Sequence, residues 1–196
     1  MNRKTLDRLL SAGGLVIAAV LLVAGALLTW AHSYVHDQVH SQLVAEKIYF
    51  PAKNSESLTS LPAADRAAME KYAGKQLLTG PEAKAWADHY IAVHLREMGG
   101  GQTYSQLSAK SLADPNNTKL AGLVQTVFRG ETLRGLLLNA YAFDTMGGIA
   151  LIGAIVAYIG AGVMTLLGLL GLVHARRLDV PPPATATAPD IEQIKA

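Results

Sequence analysis

Two long stretches without a charged residue constrain this chain more than any other feature. From Ser11 to Ala31 it reads "SAGGLVIAAVLLVAGALLTWA", 21 residues, and from Met146 to Val173 "MGGIALIGAIVAYIGAGVMTLLGLLGLV", 28 residues. A helix needs about 20 apolar residues to cross the hydrocarbon of a bilayer. The longer run can span with tilt or with a few residues protruding. The first run contains Ala24-Gly25-Ala26, which resembles a small-residue cleavage site. Secretory apolar regions, however, are only about 7–15 residues long. Both runs are therefore expected to be membrane anchors.

Basic residues set the expected orientation. Arg3, Lys4 and Arg8 precede the first run, and His174, Arg176 and Arg177 follow the second, whereas no Lys or Arg lies outside the first run until Lys47. Positive residues favour the cytoplasmic side, so both termini are expected there. Trp30 and Tyr34 would mark the outer interface. The chain then divides into a cytoplasmic N-terminus (1–10), a first span (11–31), an extracytoplasmic segment (32–145), a second span (146–173) and a cytoplasmic tail (174–196). The Pro/Ala/Thr-rich end of the tail, "LDVPPPATATAPDIEQIKA", has the composition of disorder.

Between the spans the pattern is helical. The first helix should run on through "QVHSQLVAEKIYF" to Pro51, followed by a loop, "AKNSESLTS". "LPAADRAAMEKYAGKQLL" has helical spacing. "PEAKAWADHYIAVHLREM" opens with Pro81 at a first helical position and Glu82 in the first turn, and Gly99 to Gly101 end it. Ala83, Trp86, Tyr90 and Val93 share a face of that helix. A short segment, "TYSQLSAKSLA", and the turn "DPNN" precede a last helix from Thr118 into the second span. No run alternates with period two over enough residues to suggest a sheet. The expected fold class is all-α: an integral membrane protein of two transmembrane helices with a small extracytoplasmic helical domain between them.

Charge narrows the function classes. Residues 32–145 hold 11 Lys/Arg and 11 Asp/Glu, and the whole chain carries a formal charge of +2, so no basic stripe points to nucleic acid. With no cysteine, thiolate catalysis, thiolate metal sites and disulfides are excluded. No phosphate loop, nucleophile elbow or His-Glu-x-x-His pattern occurs.

"KIYFP", "YAGKQLLTG", "WADHYIAVHL", "GGGQTYSQLS" and "FRGETLRGLLLNAYAF" resemble a family of small two-span actinobacterial membrane proteins of uncharacterised function. Some of its members carry an automatic label of aromatic ring-opening dioxygenase. The resemblance implies a plasma-membrane location and supplies no catalytic residue. Non-haem iron ring cleavage needs two histidines and a carboxylate converging on an enclosed site. A neutral outer segment with few aromatics gives an aromatic substrate little enclosure, so the chain is not expected to be an enzyme.

Two groups of residues remain as candidates. "TWAHSYVHDQVHSQ" places His32, His36 and His40 at i, i+4 spacing, where two imidazoles can meet one divalent ion. In an antiparallel arrangement Asp144 reaches about the same height and is the nearest carboxylate. The competing reading is a polar helix face at the membrane exit, with Asp37 available to a protonated neighbour. No cofactor is expected, save that this ladder leaves a divalent metal open. The second group is a docking surface made by Arg129, Glu131, Arg134 and Asn139 together with the small-residue ridge Gly153, Ala157 and Ala161. Glu131 and Arg134 are placed to pair at i, i+3. The ridge allows close helix approach, either between the two spans or toward another membrane protein or a second copy. The expected function is a non-enzymatic accessory or interaction subunit of a plasma-membrane assembly. The alternative is an extracytoplasmic ligand, metal or pH sensor acting through a partner.

Overall fold

The computed structural model describes residues 3–177. The expected disordered tail beyond Arg177 lies outside the described residues, as do the side chains of Arg3, Lys4 and Arg177. Two long helices, α1 (Arg3–Glu46) and α7 (Thr118–Arg177), enclose α2 (Glu56–Thr59), α3 (Ala63–Glu70), α4 (Gly80–Trp86), a π-helical turn (Ala87–Ile91), α5 (Ala92–Met98) and α6 (Tyr104–Ala113). No strand forms among the described residues; one isolated antiparallel bridge joins Tyr49 and Gln76. Both long helices are long and apolar enough to cross a membrane, with peak mean hydropathies of 2.4 and 2.2. Only 11% and 17% of those apolar windows is buried, so each presents most of its apolar surface outward, as lipid-facing helices do.

The described residues form two compact units, 3–25 with 155–177, and Ala26–Ala154. In the first, α1 and α7 approach through small residues. A Cβ added to Gly25 would lie 2.7 Å from the nearest atom of the Tyr158 ring, and one on Gly160 would lie 3.2 Å from Leu21. Gly168 lies against Leu15, and Gly171 against Ser11. Ala18, Ala157 and Ala161 are buried. This corrects one expectation: Ala157 and Ala161 are not open to a partner, because their helix face is already packed. Close approach at small residues is what holds paired helices in lipid, and this pair has used its own ridge. In the second unit Gly153 is likewise close to Leu28.

In the second unit α1 ends at Glu46, four residues before the expected Phe50. Lys47 adopts a positive φ of 51°, which breaks the helix. The chain then runs extended against the segment after α3. Phe50 N donates to Lys75 O at 2.8 Å and Leu77 N to Ile48 O at 2.9 Å. For this pairing the helix expected through Leu78 stops at Glu70, and Gly74 turns the chain at φ +72°. Helix α2 occupies part of the expected loop.

The start expected at Pro81 falls at Gly80, where Glu82 accepts from the Leu78 and Thr79 amides at 2.8 and 2.9 Å. These are orphan donors that a helix start must satisfy. Helix α6 carries a full capping box, with Gln106 N donating to Thr103 Oγ1 and Thr103 N to Gln106 Oε1. At the start of α7, Asn117 Oδ1 accepts from Leu120 N.

A single apolar core unites the second unit. Leu58, Met69 and Leu77 are fully buried with Val39 and Leu43 of α1, Val93 and Leu95 of α5, and Val127 and Leu137 of α7. An aromatic row, Phe50, Trp86, Tyr90 and His94, crosses it with centroids 4.4–5.2 Å apart. The inserted helices therefore close, within one chain, onto the parts of α1 and α7 that lie in this unit.

Candidate functional site

Each ring of the histidine ladder meets a different partner. His32 Nδ1 is 2.9 Å from Gly147 O, His36 Nδ1 is 3.2 Å from Asp144 Oδ1, and His40 Nδ1 is 3.2 Å from Leu78 O. A carbonyl only accepts, so Nδ1 of His32 and of His40 carries the proton. The antiparallel register does bring His36 to Asp144 as the spacing anticipated. It does not gather the four residues: among the described residues no group of three or more His, Cys, Asp or Glu is placed to hold a metal ion. His32, His36, His40 and Asp144 thus stand as one ion-pair contact and two separate carbonyl contacts. Two of these bind α1 to α7, and the third binds it to the segment before α4.

A second polar cluster was not anticipated as a unit. The π-helical turn widens the helix between α4 and α5, a feature frequent at functional sites. Within it, Asp88 Oδ1 accepts from Arg134 Nη2 at 3.2 Å, and Asp88 Oδ2 pairs with Lys84 Nζ. His89 Nδ1 lies 2.8 Å from Asp65 of α3. Arg134 Nη1 also meets Glu131 at 3.5 Å, as the i, i+3 spacing anticipated. The long-range partner Asp88, 46 residues away, carries no local signal in the sequence. Arg134 is thereby committed inside the chain, while Arg129 is exposed.

Burial works to raise the Asp88 pKa, but the hydrogen bonds and charges of Lys84 and Arg134 outweigh it and hold the carboxyl below its ordinary value. A depressed folded-state pKa gives stability that is present above the ordinary carboxylate range and lost as pH falls through the folded value. Asp88→Asn is expected to destabilise the segment between the two long helices by about 1 kcal/mol near pH 7, a modest figure because the carboxylate is partly exposed. The difference from wild type should shrink below about pH 4. Thermal unfolding followed at pH 7, 5, 4 and 3 checks this; a constant difference down to pH 3 would contradict the assignment.

Beside this cluster lies a polar cleft of about 250 Å³ between α5, the triple-glycine loop and α7. Two side-chain atoms with almost no solvent contact have no hydrogen-bond partner there, Arg134 Nε and Gln102 Oε1. An unsatisfied buried polar atom costs about 1–3 kcal/mol.

An apolar groove of about 610 Å³ runs between α1 and α7, lined by Val39, Leu43, Leu133, Leu136, Leu137 and Phe143, with Gln42, Glu46 and Asn139 beside them. A recess of about 290 Å³ at Tyr34 and Val35 shares Val39, Gln42 and Phe143 with it. Leu136 is 61% and Phe143 56% exposed. Leu136 precedes the charge-free run by ten residues, about 15 Å along a helix. Compared with known proteins, the chain matches no family model, no curated protein and no solved structure.

Proposed function

We propose that the protein is a non-enzymatic subunit of a plasma-membrane assembly, with both termini cytoplasmic, whose outer groove receives a helix of another membrane protein. The groove carries this reading. Its large apolar side chains lie beyond the charge-free runs, where lipid chains do not account for them, and the chain's own inserted helices leave Leu136 and Phe143 uncovered. Two helices form its walls, so a third helix fits it along their axes. A partner helix leaving the bilayer beside them would run directly into it. Asn139 and Gln42 supply polar contacts at the groove. The small-residue ridge is committed to the α1–α7 pair, so docking falls to this groove rather than to the second span. The sensing alternative rests on the single His36–Asp144 contact.

A photo-crosslinking residue at Leu136 or Phe143, in the full chain in its native membrane, tests this. The expected product joins the groove to one helical segment of a different membrane protein, and the substitution Leu133→Arg abolishes it. Crosslinks to lipid alone, or to a second copy of this chain alone, would overturn the reading.

A further inference from the structure

We propose that a recess between α1 and α7, at the ends of the spans nearest the termini, holds one bilayer phospholipid whose headgroup carries a primary ammonium. The recess lies wholly within the first compact unit and is separate from the apolar groove. It needs only that the two charge-free runs lie in a bilayer. Its volume is about 520 Å³; Gly14 and Gly168 leave it open, and Leu10, Met164, Leu167 and Leu170 wall it. On α7 the lining extends from Met164 to His174, about 15 Å along a helix. That is one leaflet's share of a hydrocarbon core about 30 Å thick, so an acyl chain of that leaflet lies along the wall.

The polar end of the recess selects the headgroup. Asp7 and Ser11 line it one helical turn apart on α1, and His174 lines it from α7. Ser11 opens the first charge-free run, and His174 is the first residue beyond the second. These residues therefore sit at the edge of the apolar layer, where a headgroup meets its chains. Ser11 is only 5% exposed, and its hydroxyl has no hydrogen-bond partner among the described residues. Unlike the sealed atoms of Arg134 and Gln102, that hydroxyl keeps open surface on the recess it lines. Gly171 makes the room for it, since a Cβ there would collide with the Ser11 Oγ. Asp7 is half-buried, and no cation among the described residues pairs with it.

A carboxylate and a hydroxyl without partners at the membrane edge call for a charged N–H donor. A primary ammonium donates to both, and the phosphate beside it accepts from a ring N–H of His174. The sequence flanking this end is basic, with Arg8 and Arg176, which also favours a phosphate there. A choline headgroup carries the same charge but no N–H, and so leaves both acceptors unanswered. A glycerol headgroup brings the negative phosphate toward Asp7 with no cation between them. An ethanolamine headgroup supplies donor, positive charge and phosphate together.

The delipidated full chain in mild detergent is titrated with dioleoyl phosphatidylethanolamine, phosphatidylcholine and phosphatidylglycerol, and bound lipid is counted by native mass spectrometry. One phosphatidylethanolamine per chain is expected, held at least about fivefold more tightly than either other lipid. Asp7→Asn should reduce its affinity to that of phosphatidylcholine. Gly14→Leu should weaken all three lipids by filling the recess. It does so without wedging the helices, because a Cβ at residue 14 meets only Met164 O, at 3.8 Å. The thermal transition of the lipid-free protein should stay in place in both variants. Equal affinity for the three lipids would show only an ordinary lipid annulus, and a preference for phosphatidylglycerol only a basic patch; either overturns the proposal. So would an unchanged lipid preference in Asp7→Asn, or unchanged binding in Gly14→Leu.

Discussion

Phe50→Ala is expected to unfold the segment between the two long helices while leaving those helices intact. Phe50 is 2% exposed, and its ring meets Tyr72 at 5.1 Å and Trp86 edge-on at 5.2 Å. Truncating a buried phenylalanine costs about 3–5 kcal/mol. Each lost aromatic pair adds about 0.5–1.5 kcal/mol. A small domain has only about 5–15 kcal/mol in total, so this one change removes a large share. The backbone of the same residue pairs with Lys75 and Gly74, so a loosened side chain also frees the segment that closes α3 onto α1. The helical signal should hardly fall, because α1 and α7 dominate it. Trp86 fluorescence should shift to the red and protease cleavage should appear between residues 47 and 113. Leu112, 79% exposed, provides the control: Leu112→Ala should change stability by no more than about 0.5 kcal/mol. An unfolding temperature within two or so degrees of wild type for Phe50→Ala, against the several degrees such a loss implies, would refute the core as described.

The same residues show how far the sequence could be read. The Glu82 start signal and the Gly99–Gly101 stop are local, and each marks its feature where expected to within a residue or two; the charge-free runs fall within the two helices that are long and apolar enough to cross a membrane. The end of α1 is not local. "EKIYFP" has helical composition, yet Ile48 to Phe50 gain more from pairing with Lys75 to Leu77 and burying Phe50 than from another helical turn. Tertiary packing overrides propensity there. The π-helical turn is invisible for a related reason, since Ala87 to Ile91 carry the same periodic pattern with or without one extra residue in the turn. At the candidate sites, His36 meeting Asp144 follows from antiparallel register, and Glu131 meeting Arg134 follows from helix spacing. Asp88 meeting Arg134 depends on how a whole helix packs on α7. The orphaned atoms of Gln102 and Arg134 depend on the same packing, so the cleft could not be named from residue order.

Cysteines placed at Ser11 and Gly171 should join in a disulfide within one chain. A Cβ built on Gly171 lies 3.5 Å from the Ser11 Cβ, at the short end of the 3.5–4.5 Å range that a disulfide spans. The natural chain has no cysteine, so no competing pair confuses the product. Oxidation of Ser11→Cys/Gly171→Cys in membranes should give a faster-migrating monomer in near-complete yield. A crosslinked dimer in its place would mean that these helices pair between chains, and the antiparallel arrangement within one chain would fall. Adding Gly25→Leu to the same background tests what holds the pair together. The Tyr158 ring leaves no room for even a Cβ at residue 25, and an aromatic ring cannot bend away as a flexible chain end does. In lipid no hydrophobic drive compensates for a gap between helices, so a wedge at one level propagates along the contact. Crosslinking yield should fall several-fold although Ser11 and Gly171 are themselves unchanged from the parent double variant. An undiminished yield would show that the pair is held by contacts other than the close approach at Gly25.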